Sequence, residues 1–277
     1  MTTTLDAPTI ISPIIPLDRD LKAAAATLQD QEARYLVDSY YIMQEDRKRA
    51  HNQVRALGEN IEPHSVILWL AQNSQTLENN IKGALEVYAK SQAIGQWSLS
   101  IVGIGPIISA GLMANVPIED TPGVSNLWSY AGQSPESKWE KGTKRPWNAS
   151  LKVLCWKIGE SFVKFQNHPE DFYGAYYVER KEQEVAANDR GDFVDQAAKA
   201  LQEKSFRKDT KAKESYENGQ LPPAHIHARA KRWVVKLFLS HWWTVAYTLH
   251  YGKGPETMPY VFNRLGHKHF ISPPNFP

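Results

Sequence analysis

Residues 137–152 read SKWEKGTKRPWNASLK and place five cations, Lys138, Lys141, Lys144, Arg145 and Lys152, around two tryptophans, Trp139 and Trp147. Only Glu136 and Glu140 oppose them. Ammonium and guanidinium groups neutralise phosphate, and an indole face stacks on a base. A loop of this composition, broken by Gly142 and Pro146, is therefore suited to clamp a nucleic-acid backbone. A solvated basic loop with buried tryptophan anchors has the same composition.

A second cationic set lies in AHIHARAKRWVVKLFLSHWWTVAYTLH, residues 224–250. His225, Arg229, Arg232 and Lys236 recur at spacings of four, three and four and share one face of a helix. Ile226, Ala230, Trp233, Val234, Leu237, His241, Val245 and Leu249 form another. Cations beside so aromatic a core need an anionic counterpart; phosphate is the expected one, with intramolecular carboxylates as the alternative. A third element is IVGIGPIISA, residues 101–110, which reads as a helix end, a glycine turn and a proline at the first position of the next helix. In this helix-hairpin-helix pattern, Gly103 and Gly105 free backbone N–H groups for a phosphate oxygen. Close packing of two core helices would use the same glycines.

Catalytic constellations are not found. No arrangement of carboxylates suits a two-metal nuclease, and no phosphate-binding Walker loop or nucleophile elbow is present. The pairs His225/His227 and His267/His269 lack nearby acidic or cysteine partners, so no metal site is expected. No cofactor is expected either. Cys155, the single cysteine, sits in an apolar helix as a small core residue would. It cannot form an internal disulfide, which points to a reducing, cytoplasmic compartment. The N-terminus lacks the pattern of a signal peptide, and no apolar run reaches the ~20 residues of a membrane span.

The elements that must position these residues are helices. At 277 residues, 42% hydrophobic and 22% charged, the chain has the composition of a folded protein with one or two domains. A formal net charge of +2 neither demands nor excludes a polyanion, so the distribution of charge has to decide. Residues 1–18 read as an extended arm. From Asp18, Leu21, Leu28, Tyr35 and Ile42 fall seven apart in a predicted long helix ending near Leu57 and Gly58. After Pro63, a second helix from Ser65 carries Val66, Leu70, Leu77, Ile81, Leu85 and Tyr88. The two form an antiparallel coiled-coil hairpin over 19–95, placed to pair internally or with a second protomer, with simple membership of a helical bundle as the alternative. A helical domain spans 96–260, interrupted by a charged arm at 183–221, helical or flexible. There Lys204, Arg207, Lys208, Lys211 and Lys213 are balanced by Glu203, Asp209, Glu214 and Glu217. Residues 261–277 read as an extended tail. The expected class is all-α.

In this order, the hairpin, GIGPIISAGLMANV, Tyr130-Ala131-Gly132, the basic loop and the Trp147-Asn148 helix start resemble the C-terminal half of bridge-RNA-guided insertion-sequence transposases. The late basic helix is similar to theirs as well, so the resemblance spans roughly residues 20–182 and 222–260. The sequence carries no counterpart of that family's RuvC-like acidic domain. Trp139 and Glu140 stand where its recombining serine belongs, with Ser134 and Ser137 out of register. The same arrangement resembles the Nop domain of box C/D ribonucleoproteins and the shared core of the Tas proteins of tandem interspaced guide RNA systems, in the nuclease-free TasA type. That resemblance implies a Nop-like domain binding a structured, box C/D-like guide RNA, a homodimer, and RNA-directed recognition of target DNA in a prokaryotic or phage-infected cell. It adds Asn148 to the RNA-binding residues and implies no nuclease. A DNA-binding half of a transposase or recombinase, working with a separate catalytic subunit, is the alternative. An assembly protein that uses the hairpin only for interaction is a third.

Overall fold

A computed structural model describes residues 15–57, 64–135, 137–203, 205–206, 210–255 and 271–276. Among them the chain forms eleven α-helices and no strand, in keeping with the all-α expectation. The first fourteen residues, Gly58, Pro63, Glu136, Lys204, Arg207, Lys208, Asp209 and the His267/His269 pair lie outside the described residues.

Asp18 caps α1 (Arg19–Ala24), its Oδ1 accepting from the Leu21 amide at 2.7 Å. The expected single helix from Asp18 does not form. A short 3-10 turn, Ala25–Thr27, ends at Leu28, which turns out of helical geometry at ψ 137°. The chain then restarts as α2 (Asp30–Ala56) with a reciprocal cap, in which the Gln29 amide donates to Glu32 Oε2 at 2.8 Å. The break lets α1 fold across α3 (Ser65–Lys90), burying Ala25 and laying the Lys22 stem over Gly83.

The α2 and α3 helices run antiparallel: the Tyr88 hydroxyl donates to Asp30 Oδ1 at 3.0 Å, and farther along Arg47 pairs with Glu78. The seven-residue stripe is not their seam. Leu21, Tyr35 and Ile42 are exposed and of the four only Leu28 packs against the core, while Ala33, Val37 and Ala50 are buried. On α3, Leu85 and Tyr88 are buried as expected, but Val66 and Leu70 face solvent and Asn73, Ser74 and Glu78 are enclosed instead. The reason is a third layer. In α5 (Pro106–Asn115) Ile107 through Asn115 are all buried, so α2 turns its small residues toward both α3 and α5.

The rest of the core is built by α4 (Ala93–Leu99), α6 (Val124–Tyr130), α7 (Ala149–Phe165), α8 (Tyr173–Asp189) and α11 (Pro223–Tyr251). Phe162, Tyr173 and Phe238 meet edge-on or stacked, with centroids 4.7–5.4 Å apart, at the crossing of α7, α8 and α11. The described residues of 183–221 take the helical alternative. They continue α8 and form α9 (Val194–Glu203) and α10 (Lys211–Glu217) around a small core of Ala197, Ala200, Tyr216, Leu221 and Ile226. Asn188 ties the return of the chain, donating to the Leu221 carbonyl and accepting from its amide.

Residues 271–276 lie against α4 and α11 and, instead of staying extended, turn at Pro274 and Asn275, where Asn275 takes φ +57°. Trp97 Nε1 donates to the Pro274 carbonyl at 2.8 Å, Asn275 donates to the Ser100 carbonyl at 3.2 Å, and His241 Nε2 donates to the Ile271 carbonyl at 2.8 Å. That donation leaves His241 Nδ1 to accept from the Tyr173 hydroxyl, also at 2.8 Å. Burial pushes His241 down to about 4, against the opposing pull of the Ile271 carbonyl. Unfolded, the ring takes up a proton below its ordinary value, which the native ring refuses until about 4. Stability from this group is therefore complete above the ordinary histidine value and falls as pH drops across the interval, by about 3 kcal/mol. A series of thermal midpoints from pH 7 to 4 is expected to show the fall, and His241→Gln to flatten it. Parallel curves for the two proteins would refute this assignment.

Candidate nucleic-acid interface

The basic loop is held at both ends. At its far end the Asn148 amide donates to the Tyr130 carbonyl at 2.8 Å, and its side chain accepts from the Leu151 amide as the N-cap of α7. The same side chain donates to Asn115 Oδ1 at 3.2 Å and to the Tyr130 hydroxyl at 2.9 Å. Asn148 is therefore the bracket that joins α5, α6 and α7. Gly132, at φ +64°, brings the chain so close to the Trp147 ring that a Cβ there would sit 2.9 Å from it. Within the loop, Trp139 Nε1 donates to the Thr143 carbonyl at 2.8 Å.

This framework presents alternating cations and rings. Lys138, Lys141, Lys144 and Arg145 are exposed, and Trp139 is 41% exposed. The Arg145 guanidinium lies 5.2 Å from the Trp139 ring centroid, and the Lys152 ammonium 3.6 Å from that of Trp147. Trp147 is half-buried, so one tryptophan anchors the loop and the other faces outward. No carboxylate among the described residues lies within 4.0 Å of these five cations. Burial, with Arg145 nearby, holds the Lys152 ammonium below the ordinary lysine range. A cation already partly stripped of water and lacking a carboxylate is set up to receive an external anion.

The α11 stripe divides. Lys236 is beside α6, its ammonium 4.1 Å over the Trp128 ring while Trp128 Nε1 donates to the Lys236 carbonyl. Burial lowers its pKa too, and no carboxylate is near it among the described residues. Through α6, Lys236 is joined to the loop, since Trp128 and Tyr130 share that short helix. Arg232 is exposed and has no ion pair among the described residues. Arg229 is different: it donates to Glu184 Oε2 at 2.6 Å and to Gln196 Oε1 at 3.0 Å, with its guanidinium 4.3 Å over Phe193. The alternative of an intramolecular counter-ion thus holds at Arg229. His225 faces the same small core, hydrogen-bonded to the Tyr216 hydroxyl at 3.1 Å.

The glycine turn is packed on two sides. Gly103 takes φ +90°, accepts from Ser161 Oγ, and has Ser161, Phe162 and Phe165 of α7 within 3.5 Å of where a Cβ would be. Its other flank carries Asn275 on Ser100. Gly105 caps α5 with open space at its missing Cβ, while Ile107 and Ile108 behind it are buried. The missing Cβ of Gly103 is thus used for helix packing, while that of Gly105 faces open space.

Sequence reading missed the outer face of α7. Leu151, Leu154, Cys155, Ile158 and Phe162 are buried, which leaves Val153, Trp156 and Lys157 outward. The signal was available in the offset of Trp156 and Lys157 from the 151–158–162 spacing. Cys155 is a core thiol pushed up to about 12 by burial. Among the described residues, no group of three or more potential ligands forms a metal site, and no helix is long and apolar enough to cross a membrane. No protein-family model, curated protein or solved structure matches the chain.

Proposed function

We propose that the chain is a guide-RNA-binding protein: a Nop-like helical domain with a coiled-coil hairpin that holds a structured small RNA, forms a homodimer, and directs the RNA to pair with target DNA. In this reading it has no nuclease of its own and works in the cytoplasm. Target sequence is read by base pairing, and the protein contacts backbone and shape. The observation that carries the proposal is the run of cations without carboxylate partners set against indole rings: Arg145 on Trp139, Lys152 on Trp147 and Lys236 on Trp128. Phosphates neutralise such cations, and the outward ring of Trp139 offers a stacking surface.

The test is purification of the chain together with its flanking locus, followed by extraction of bound nucleic acid and separate RNase and DNase digestion. The expected result is a discrete RNase-sensitive species with a structured segment and a variable pairing segment. Recovery of DNA alone would favour the DNA-binding half of a transposase. Nucleic-acid-free protein from a locus that expresses small RNA would leave the hairpin as an interaction module.

A further inference from the structure

We infer that Trp156, Lys157 and the groove beside them form a second nucleic-acid site, for an unpaired stretch of RNA. The inference rests on the RNA-binding reading above and extends it to a surface outside the basic loop.

Trp156 lies in the middle of α7 and is 57% exposed, beside Val153 at 54%. A large ring left in water on a helix that buries its opposite face contributes little to folding. Two ammonium groups flank it: Lys231 Nζ is 5.5 Å and Lys157 Nζ 6.0 Å from its centroid. Lys231 is ion-paired with Glu160, so Lys157 is the cation available to a ligand. Its ammonium also sits 3.8 Å over the Tyr41 ring, at the wall of a groove between α2, α5 and α7. Arg34, Tyr41, Asn115, Ser150, Val153 and Lys157 line that groove, whose volume is about 410 Å³. Arg34 and Lys157 have no carboxylate within 4.0 Å among the described residues, although Asp38 is also on the wall. Burial and the charge of Lys48 lower the Lys157 pKa, and Glu45 only partly opposes them.

These features match one nucleotide in two parts. A base needs a free aromatic face, which Trp156 provides; the adjoining phosphate needs cations in a partly dry recess, which Lys157 and Arg34 provide. In a duplex both faces of a base are stacked, so the site discriminates for single strands. It lies on the helix that begins at the Asn148 bracket, so one strand can run from the basic loop along α7.

The experiment measures fluorescence anisotropy of a labelled, unstructured RNA of roughly 12 nucleotides and of an RNA duplex of the same length, a size within the usual span of single-strand sites. For the single strand, Trp156→Ala is expected to weaken binding about tenfold with no change in salt slope, and Trp156→Phe to restore most of it. Lys157→Ala is expected to lower the slope by about 0.7, the mark of one lost phosphate contact. Duplex binding stays the same in the Trp156 variants. Trp156→Ala protein that binds the single strand as tightly as wild type, or loses duplex binding equally, would overturn the inference and leave the basic-loop reading standing. Wild-type protein that binds neither RNA would overturn both.

Discussion

Alanine at Lys138, Lys141, Lys144 and Arg145 together is expected to weaken RNA binding by roughly a hundredfold at physiological salt. The slope of log K against log salt should fall by about 3, because each lost phosphate contact removes ~0.7. The four side chains are exposed and make no ion pair among the described residues. The thermal midpoint should therefore stay within about 2 °C of wild type. A salt titration of RNA affinity reads the first effect and a melting curve the second. An unchanged slope in a protein that still binds RNA would show that these cations do not touch phosphate, and would move the interface elsewhere. A fall in both quantities would instead make the loop a structural element.

The opposite pattern is expected of Arg229→Ala. Glu184 is 3% exposed and is held by Arg229 on one side and Arg180 on the other. Burial pushes its carboxyl up, but hydrogen bonds from the two guanidinium groups outweigh burial and hold it below the ordinary carboxylate range. Removing Arg229 leaves a buried charge with one partner and should destabilise the protein by about 3 kcal/mol. The RNA salt slope should not change. Glu184→Ala combined with Arg229→Ala should cost less than the two single changes added together, because the orphaned charge is removed with its partner. The pH dependence has a defined sign. A carboxylate depressed in the fold stabilises at neutral pH and loses that contribution as pH falls through its folded value, so Arg229→Ala should reduce the acid sensitivity of the midpoint. Additive destabilisation would rule out the coupling, and a flattened salt slope would return Arg229 to the RNA-binding set.

Why Arg229 and Lys236, seven residues apart on one helix face, have such different surroundings was not legible in the spacing. The stripe His225, Arg229, Arg232, Lys236 placed all four on a common face, about 16 Å long at 1.5 Å per residue. What each cation meets along that length depends on which helices cross α11. The 183–221 segment folds back as α9 and α10 over the start of α11 and delivers Gln196 and Phe193, with Glu184 from α8, to Arg229. Of the charges read there as a solvated face, Lys213 and Glu217 pair with each other at the surface. The segment's apolar positions were too few to announce the small core they build with Leu221 and Ile226.

The sequence by itself determined the local elements: the all-helical class, the Asp18 and Asn148 caps, the Pro106 helix start, the exposed basic loop and the core position of Cys155. The caps and the helix start follow from interactions within a few residues, such as a side chain reaching an amide three positions on or a proline opening a helix, and the core position of Cys155 follows from the apolar pattern of its helix. Tertiary structure decided the rest. The seven-residue stripe on α2 lost to Ala33 and Val37 because α2 packs against both α3 and α5, which the spacing along one helix does not state. Gly103 was drawn into packing by Ser161 and Phe162, and Trp156 was left in water by the same rotation of α7 that buried Ile158. Periodicity states which residues share a face, whereas the neighbour on that face comes from distant parts of the chain.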